Sequence, residues 1–407
     1  MLLGAFLFLA CLLFAQSVWS LGDGFRFLSF IRRGLKRPAQ PYSPSVALII
    51  PCKGKDPNFE KNIDKFLRQD YRDYQLIFVV ASASDPAHAV LADVVAKGSG
   101  AERPGPSRLS LIIAGTTENN GEKVNNLLAG VQAAEEGVAV LAFADADGCP
   151  PPDWLRALVA PLADTDVILS TGYRWYLPSG TFSSRLQAAW DTSVATLFGE
   201  HSHNIAWGGS MAIRTADFRR MNVCEKVWRG TVSDDYSLAR AVREAGGKIR
   251  FEPRCLVPSR SDFSLGQFFR WANRQIIITR IYHPRLWWLG LASHLLYAAT
   301  FLTGLVFLTG SYSAFERITV LLALGAILFL GVAKGGLRAV VSRLLFHEET
   351  ERLGREGNCY WRLAPLVPWV MLLNFIVAGF TRRIEWQGVV YELESPRTVR
   401  VIRRGTS

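Results

Sequence analysis

The chain has 407 residues, of which 49% are hydrophobic, and its mean hydropathy of +0.15 is too apolar for a purely soluble protein of this size. This length accommodates one sizeable α/β domain with membrane helices, or two domains, and excludes a small module. The net charge of +11 could serve nucleic acid, but the basic residues cluster beside apolar runs, which favours lipid headgroups and predicts no nucleic-acid partner.

The chain opens on an apolar run, residues 1–21, with no basic residue before it and five after it: Arg26, Arg32, Arg33, Lys36 and Arg37. A cleaved signal peptide carries its positive charge in front of the apolar run. The positive-inside rule therefore favours an uncleaved anchor over a signal peptide, with the following domain in the cytoplasm, at the inner membrane if the protein is bacterial.

After a proline-rich linker at 38–44, short apolar strands alternate with helical patterns. The predicted strands are 45–51, 74–81, 109–114 and 138–144, and the predicted helices between them are 59–69, 86–97 and 123–136. This alternation predicts an α/β fold, a mostly parallel sheet with helices on both faces. Ligands of such sheets bind beyond the carboxyl ends of the strands.

Polar residues follow three of these strands. The loop from Pro51 through Lys53 follows the first strand, Asp85 the second, and Asp145-Ala-Asp147 the fourth. Two carboxylates at this edge suit Mg²⁺ or Mn²⁺ bridging a diphosphate, and a simple Asp-containing turn is the alternative.

A second D-x-D, Asp164-Thr-Asp166, precedes its apolar run and so lies at the opposite end of a strand. It predicts a turn between a helix and a strand.

Asp234 and Asp235 precede a helical stretch at 237–245. Residues of this type at a helix start are commonly caps, but adjacent carboxylates also raise each other's pKa, which suits one of them to act as a general base. Upstream, the small residues of the WGGSMAI segment at 207–213 allow close approach of backbone to a ligand. For His201 and His203 nearby, hydrogen bonding is favoured over metal binding, because no partner ligand stands at metal spacing.

The QFFRW segment at 267–271 lies in an amphipathic stretch that leads into an apolar run at 287. Arg270 offers a planar fork of donors for phosphate, and Trp271 an apolar face that tolerates interfacial surroundings. The alternative is a snorkelling anchor and an aromatic-belt residue.

Three apolar segments follow, and the last contains Pro365 and Pro368. Three crossings after the anchor would put the C-terminal tail outside, whereas the arginines of the tail favour the inside. Either the proline-bearing segment is re-entrant or interfacial, or one short run does not cross.

The six cysteines show no C-x-x-C pair and are typical of reduced thiols in a cytoplasmic domain. The predicted organisation is an anchor (1–22), a basic linker (23–44), a cytoplasmic catalytic domain (45–263), an amphipathic interfacial helix (264–286), membrane segments (287–310, 318–333 and 363–380) and a basic tail (381–407).

The order Asp85, Asp145-Ala-Asp147, Asp234-Asp235 and Gln267-x-x-Arg270-Trp271 resembles the motif series of family-2 inverting glycosyltransferases with the GT-A fold. The segments Lys123-Val-Asn-Asn, Gly209-Ser-Met and Trp386-Gln-Gly are similar, more narrowly, to the ceramide glucosyltransferase group and its bacterial relatives, which include hopanoid glycosyltransferases. The resemblance covers residues 45–271 and 384–393. This chain departs from the commonest pattern in having Ser233-Asp234 before Asp235 where Glu-Asp is frequent.

The resemblance implies a role for each matching position. Asp235 would be the catalytic base, and Asp147, with Asp145, would hold Mg²⁺ or Mn²⁺. The donor UDP-sugar would be bound by Pro51, Lys53, Asp85 (against the uracil), Lys123, Asn125, Asn126, Asp145, Gln267 and Arg270. The acceptor side would be formed by Gly209, Ser210, His203, Asp234 and Trp271, with Gln267 to Trp271 closing over diphosphate and acceptor.

These residues predict a membrane-bound enzyme that transfers a sugar, glucose by resemblance, from a UDP-sugar to a lipid hydroxyl of ceramide, diacylglycerol or a hopanoid. A processive polysaccharide synthase and a polyprenyl-phosphate glycosyltransferase are alternatives within the same chemistry. The alternative from another class is a non-catalytic membrane scaffold, which would release no UDP with any lipid.

Overall fold

The computed structural model describes residues 2–37, 41–98, 105–201 and 203–405. Met1 of the predicted anchor, residues 38–40 of the predicted linker and residues 406–407 of the predicted tail lie outside the described residues. The chain forms two compact units, and each is assembled from separated segments. A helical unit comprises Met1–Arg32, Tyr176–Leu197 and Arg260–Thr381, and a sheet unit comprises Arg33–Trp175, Phe198–Ser259 and Arg382–Ser407.

Helices and strands alternate through the first half of the chain, and helices dominate the second half. The helices are α1 (Leu2–Lys36), α2 (Phe59–Leu67), α3 (Pro86–Gly98), α4 (Glu122–Ala133), α5 (Trp154–Val159), α6 (Phe182–Ala195), α7 (Thr215–Arg220), α8 (Asp234–Glu244), α9 (Leu265–Tyr282), α10 (Pro284–Thr309), α11 (Ala314–Leu345), α12 (Thr350–Glu356), α13 (Cys359–Arg362) and α14 (Val367–Phe380). The strands are β1 (Val46–Pro51), β2 (Tyr74–Val80), β3 (Arg108–Ile113), β4 (Val140–Ala144), β5 (Val167–Tyr176), β6 (Ser210–Arg214), β7 (Lys248–Ser259), β8 (Arg383–Trp386), β9 (Val389–Ser395) and β10 (Thr398–Arg404).

The sheet unit is built on a seven-stranded sheet of order β3-β2-β1-β4-β6-β5-β7. Strands β1 to β4 pair in parallel, whereas β6 pairs antiparallel with both β4 and β5. The carboxyl ends of β1, β2 and β4 therefore meet at one edge. The predicted α/β architecture, a mostly parallel mixed sheet, is confirmed.

Side chains of β1 alternate between two separate cores, one on each face of the sheet. Leu48 and Ile50 belong to the core that α2, α3 and α5 complete, and Ala47 and Ile49 belong to the core that α4, α7 and α8 complete. A strand with helices over both faces has no solvated side, which is why β1, β2 and β4 are apolar without alternation. The prediction of helices on both faces is confirmed.

The turn predicted at the second D-x-D is present. Asp164 follows a short 3-10 helix, and its Oδ1 accepts a hydrogen bond of 3.0 Å from the backbone N–H of Asp166, just before β5. An aspartate side chain that bonds the backbone two residues ahead is a local turn-forming interaction.

Among the residues that the structure describes, three helices of the helical unit are long and apolar enough to cross a membrane: α1, α10 and α11. Phe6 and Leu13 of α1 pack with Phe307 of α10 and Leu324 of α11 in one apolar cluster. The 14-residue α14 rises only about 21 Å, less than the roughly 30 Å of a hydrocarbon core. The apolar runs predicted at 1–21, 287–310 and 318–333 thus correspond to the three long helices, and the run at 363–380 to a shorter one.

Helix α1 continues through the first part of the segment predicted as a linker. It ends at Lys36, two residues before Pro38 in the sequence. A proline biases the preceding residue away from helical geometry, but arginine and lysine are good helix formers, so the basic residues up to that point extend the helix.

The basic tail forms a three-stranded antiparallel sheet of order β10-β9-β8. Gln387 and Gly388 connect β8 and β9 with positive φ values of 49° and 74°. Two consecutive residues with positive φ are typical of the tight turn that joins antiparallel strands. This sheet belongs to the same compact unit as the seven-stranded sheet.

Candidate active site

Residues predicted to bind the donor surround the loop that follows β1. Pro51 is the last residue of β1, opposite Val79. Asp85 Oδ1 accepts hydrogen bonds of 2.9 Å from the backbone N–H groups of Gly54 and Ala87. The same carboxylate thus fixes the loop after β1 and the start of α3, because both strands end at the same edge.

The two carboxylates that follow β4 converge on one cation from β5. Arg174 Nη2 lies 3.1 Å from Asp145 Oδ2 and 2.6 Å from Asp147 Oδ1, and its Nη1 lies 2.7 Å from Asp147 Oδ2. The guanidinium also lies 5.1 Å from the ring of Trp207, within the range of a cation–π contact. Sequence reasoning missed Arg174, since nothing in the spacing of a single strand residue relates it to β4.

A third carboxylate, Asp56, lies close to Asp147 and Arg174. Burial raises its pKa, and the Asp147 carboxylate adds to the increase while Arg174 opposes it. The loop after β1 therefore contributes an acidic residue that the motif series did not include.

Lys123 of α4 joins the carboxylates after β4 to the start of α8. Its Nζ lies 2.8 Å from Asp145 Oδ1 and 3.3 Å from Asp234 Oδ1. Burial by itself lowers the pKa of this lysine, but the carboxylates of Asp145, Asp234 and Asp235 outweigh burial, and the net pKa is raised. Lys123 is therefore a permanent cation inside the site.

The adjacent aspartates of α8 occupy different environments. Asp234 is 2% exposed, and its Oδ2 has no hydrogen-bond partner among the described residues. Burial, which Lys123 only partly offsets, raises the pKa of Asp234 to about 7. Adjacent carboxylates are predicted to raise each other's pKa, and the Asp235 carboxylate does add to the increase that burial causes at Asp234.

Asp235 is half-buried and held by three donors. Its Oδ1 accepts hydrogen bonds from the Ser233 hydroxyl (2.5 Å) and the Tyr236 backbone N–H (2.7 Å), and its Oδ2 accepts one from the Gly208 N–H (3.2 Å). Ser233 is also the N-cap of α8, because its side chain accepts from the Tyr236 N–H. Capping of α8 by Ser233 is thus compatible with the predicted use of the half-buried Asp235 carboxylate as a base.

The glycines before β6 allow the backbone to approach these carboxylates. A Cβ atom on Gly208 would lie 2.1 Å from Asp234 Oδ2, and one on Gly209 would lie 2.6 Å from Asp145 Oδ2. Small residues at 208 and 209 are therefore required by the site's own side chains. Any larger residue would displace the carboxylates.

The start of α4 is held by residues far away in sequence. Glu122 pairs with Lys53 (2.7 Å) and with Arg404 (3.0 Å), and its backbone N–H donates to Tyr391 Oη (3.2 Å). Arg404 and Tyr391 come from the tail sheet, which the sequence analysis did not connect to the site. No local pattern could have shown this contact.

The other predicted donor residues of α4 are close by. The Asn125 amide donates to the Gly115 carbonyl at 3.0 Å, and Asn126 is 2% exposed with an Oδ1 that lacks a partner among the described residues. Of the residues predicted for the acceptor, Ser210 is buried and its hydroxyl accepts from the Trp154 indole N–H at 2.9 Å. His203 is exposed, with its ring 6.1 Å from that of His201.

Gln267, Arg270 and Trp271 belong to the helical unit. The Gln267 side chain completes a capping box with Ser264 at the start of α9, a local use of this amide that the motif did not indicate. The Trp271 ring packs edge-on against Tyr176 (5.4 Å) and Trp190 (5.1 Å). Arg270 is exposed.

The residues present fit a divalent cation. Asp145 and Asp147 already direct oxygens at one positive centre, the Arg174 guanidinium. The carboxylates of Asp56, Asp145, Asp147, Asp234 and Asp235 outnumber the two cations with which they interact, Arg174 and Lys123. The described residues contain no cluster of three or more His, Cys, Asp or Glu side chains that could hold a metal by themselves. Such a two-carboxylate site suits Mg²⁺ or Mn²⁺, which take their remaining ligands from substrate phosphates and water.

The chain is similar to a curated enzyme and to several solved structures. The chain is 28% identical over 108 residues to ceramide glucosyltransferase 1 of Caenorhabditis elegans, an alignment that spans 26% of this chain and 22% of that protein. Among solved structures, mannosyltransferase PcManGT from Pyrobaculum calidifontis, in complex with GDP-Man and Mn²⁺, is 16% identical with a TM-score of 0.46 over 91% of this chain and 97% of that chain. Glucosyl-3-phosphoglycerate synthase from Mycobacterium tuberculosis, in complex with Mn²⁺ and UDP-glucose, is 14% identical with a TM-score of 0.38 over 62% of this chain and 82% of that chain.

The family comparison extends over nearly the whole chain. The model of glycosyl transferase family 21 matches residues 12–399, from within α1 to within β10. The match therefore includes both compact units, and the predicted resemblance to glycosyltransferases is confirmed. The chain belongs to glycosyl transferase family 21.

Proposed function

We propose that this glycosyltransferase moves a sugar, glucose by preference, from a UDP-sugar to the hydroxyl group of a membrane lipid, with inversion at the anomeric carbon. The observation that carries the proposal is the group formed by Arg174, Lys123 and the carboxylates of Asp145 and Asp147, beside the accessible carboxylate of Asp235. It combines a site for a diphosphate and its cation with a base at one edge of the sheet.

The donor half of the site is electrostatic. Asp145 and Asp147 would hold a Mg²⁺ or Mn²⁺ ion, which when bound supplies positive charge to the leaving diphosphate. Lys123 stays protonated because its pKa is raised, and Arg174 has a guanidinium that does not deprotonate. Both cations therefore stabilise negative charge as it develops on the leaving group.

The acceptor half depends on Asp235. Its three hydrogen-bond donors fix its orientation, and its partial exposure leaves it open to an acceptor. Asp235 removes the proton from the lipid hydroxyl as that oxygen bonds to the anomeric carbon. The bond between this carbon and the diphosphate oxygen breaks in the same step, and UDP leaves with the electron pair.

A lipid acceptor is supported by the three long apolar helices and by the partial likeness to a ceramide glucosyltransferase. Ceramide, diacylglycerol and hopanoid hydroxyls are all compatible with this chemistry. The roles of Gln267, Arg270 and Trp271 in transfer remain predictions of the motif resemblance.

The test is transfer by the purified full-length protein in detergent with Mn²⁺, a mixed lipid extract, and radiolabelled UDP-glucose, UDP-galactose or UDP-N-acetylglucosamine in separate reactions. We expect one labelled glycolipid, identified by mass, from one donor. Labelled polymer would indicate a polysaccharide synthase, and a product with a prenyl-phosphate mass would indicate a polyprenyl-phosphate acceptor.

The matched variants are Asp235→Asn and Asp166→Asn, the second at an exposed carboxylate of the turn before β5. Asp235→Asn is expected to lose at least about a thousandfold in kcat, since the base is gone, while UDP binding by calorimetry stays within about threefold. Asp166→Asn is expected to retain wild-type turnover. Near-normal turnover of Asp235→Asn would refute the assignment of the base.

A further inference from the structure

Helix α11 contains a buried cation, Arg338, which has no counter-ion among the described residues. Arg338 is 7% exposed, and its Nε has no hydrogen-bond partner in the described part of the chain. Within the described ranges 2–37, 41–98, 105–201 and 203–405, no hydrogen bond or ion pair involves this guanidinium. A buried, unpaired charge is costly, so such a group is retained where something else neutralises it.

A second cation stands one helical turn away. Lys334 precedes Arg338 by four residues, a spacing that brings side chains together on one helix face. Its ammonium group donates to the Ser20 hydroxyl of α1. Asp23 of α1 is near enough to act electrostatically on Lys334, but its carboxylate is already paired with Arg26.

The surrounding contacts between helices are close. A Cβ atom on Gly24 of α1 would lie 3.0 Å from Leu337 Cδ1, and one on Gly335 would lie 2.4 Å from the carbonyl oxygen of Tyr360, at α13. The hydroxyls of Ser342 and Tyr360 are 3.4 Å apart. The stripe of α11 that carries Arg338 is thus packed between neighbouring elements of the helical unit, which keeps the guanidinium from extending freely into water.

The depth of these cations along the helices is that of a headgroup layer. Lys334 is the first charged residue of α11 after Arg317, and Ser20 and Asp23 stand where the apolar run of α1 ends. The 17 residues from Arg317 to Lys334 rise about 26 Å, close to the thickness of a hydrocarbon core. Lys334 of α11 and Ser20 of α1 therefore both lie at the depth of the boundary where lipid phosphates lie.

We propose that Lys334 and Arg338 form a binding site for the phosphate group of an anionic membrane lipid, held between α1, α11 and α13. The guanidinium supplies planar donors for phosphate oxygens, and the ammonium supplies a second charge. Basic pockets between transmembrane helices at the membrane surface recognise lipid headgroups by this chemistry. Neither Lys334 nor Arg338 is among the residues proposed for sugar transfer.

The experiment measures the thermal stability of the full-length protein in an uncharged detergent, with added phosphatidylglycerol, phosphatidylcholine or inorganic phosphate. Phosphatidylglycerol is expected to raise the Tm of the wild type by several degrees and the other two by much less. In Arg338→Met this increase should disappear, whereas the exposed control Arg343→Gln should keep it. Without anionic lipid, Arg338→Met should be at least as stable as the wild type, because a buried unpaired charge has been removed.

Native mass spectrometry provides the second readout. Lys334→Gln is the second site variant, and it serves as the test if Arg338→Met does not fold. One phosphatidylglycerol should remain bound to the wild type and to Arg343→Gln, and the bound fraction should fall at least about tenfold in either site variant. An equal lipid-dependent shift in the wild type and both site variants would overturn the proposal. A shift produced equally by inorganic phosphate would overturn the assignment to a lipid.

Discussion

At the scale of single residues, Arg174 is the clearest new feature of the site. One guanidinium contacts both carboxylates that follow β4, and its side chain is only 14% exposed, so these contacts are only partly screened by water. A divalent cation that binds Asp145 and Asp147 must replace these contacts. We therefore expect Arg174 to lower the affinity for metal in the donor-free protein and to limit repulsion between the two carboxylates.

Arg174→Ala is accordingly expected to bind Mn²⁺ about tenfold more tightly in the absence of donor, an effect of about 1.4 kcal/mol. The measurement is the concentration of free Mn²⁺ by electron paramagnetic resonance during titration. Arg174→Lys, which keeps a cation, should stay near the wild-type affinity. Unchanged or weaker Mn²⁺ binding by Arg174→Ala would contradict this role.

Asp234 should make stability depend on pH. Its pKa is about 7 in the folded protein against an ordinary value of 3.8, so between these values the folded state holds a proton that the unfolded state has released. The contribution of Asp234 to the free energy of unfolding therefore falls as pH rises from about 4 to 7 and levels off above that. The Tm of donor-free Asp234→Asn minus that of the wild type should rise across this window.

The control for this pH series is Asp166→Asn. A hydrogen bond from Lys248 lowers the pKa of Asp166. Any contribution of Asp166 to stability is therefore lost as pH falls, whereas the contribution of Asp234 falls as pH rises. If the Tm difference between Asp234→Asn and the wild type stays constant from pH 4 to 8, the elevated pKa is excluded.

At the scale of elements, the tail sheet acts on the active site through α4. β9 and β10 supply Tyr391 and Arg404 to Glu122, and the Val401 N–H donates to the Glu118 carbonyl at 3.3 Å. Glu122 directly precedes Lys123, the cation that joins Asp145 to Asp234. The tail is thus a positioning element for the start of α4 rather than a solvated basic extension.

Arg404→Ala is expected to raise the KM for the proposed UDP-sugar donor about fivefold, with kcat within about twofold. The loss would loosen the residues proposed to bind the donor and leave the proposed base, Asp235, in place. The measurement is initial-rate kinetics with varied donor. Arg403→Ala, at the exposed neighbouring position, should have wild-type constants. A loss confined to kcat would be inconsistent with a positioning role in donor binding.

At the scale of the whole molecule, the chain leaves the sheet unit for the helices and returns to it with residues 382–407. Because β9 and β10 contact α4, the tail and the seven-stranded sheet must be on the same side of the membrane. The chain must therefore cross the membrane an even number of times between the seven-stranded sheet and the tail. We infer that α10 and α11, which are long and apolar enough to cross a membrane, supply two such crossings, and that the 14-residue α14 supplies none. The arginine-rich tail then agrees with the positive-inside rule, which the four-segment prediction did not.

This topology predicts the labelling of single cysteines in an otherwise cysteine-free protein. Ser311→Cys, in the connection between α10 and α11, should react with a membrane-impermeant maleimide on intact cells. Ser395→Cys, at the end of β9, should react only after the membrane is permeabilised. Labelling of Ser395→Cys on intact cells would require another crossing.

The sequence by itself determined the alternation of strands and helices, the apolar spans, and the strand ends on which Asp85, Asp145 and Asp147 lie. These properties are local: burial on both faces makes a strand continuously apolar, and parallel strands bring their carboxyl ends to one edge. The motif order identified the glycosyltransferase resemblance for the same reason, since each motif is a short contiguous segment.

Only the tertiary structure decided which charges meet. Arg404 and Glu122 are 282 residues apart, and Arg174 reaches Asp147 from a strand that no local pattern connects to β4. The raised pKa of Asp234, the unpaired guanidinium of Arg338 and the return of the tail to the sheet unit likewise depend on burial and long-range packing. Local hydrophobic periodicity specifies the elements, but charge pairing and desolvation are properties of the assembled chain, and these set the chemistry of the site.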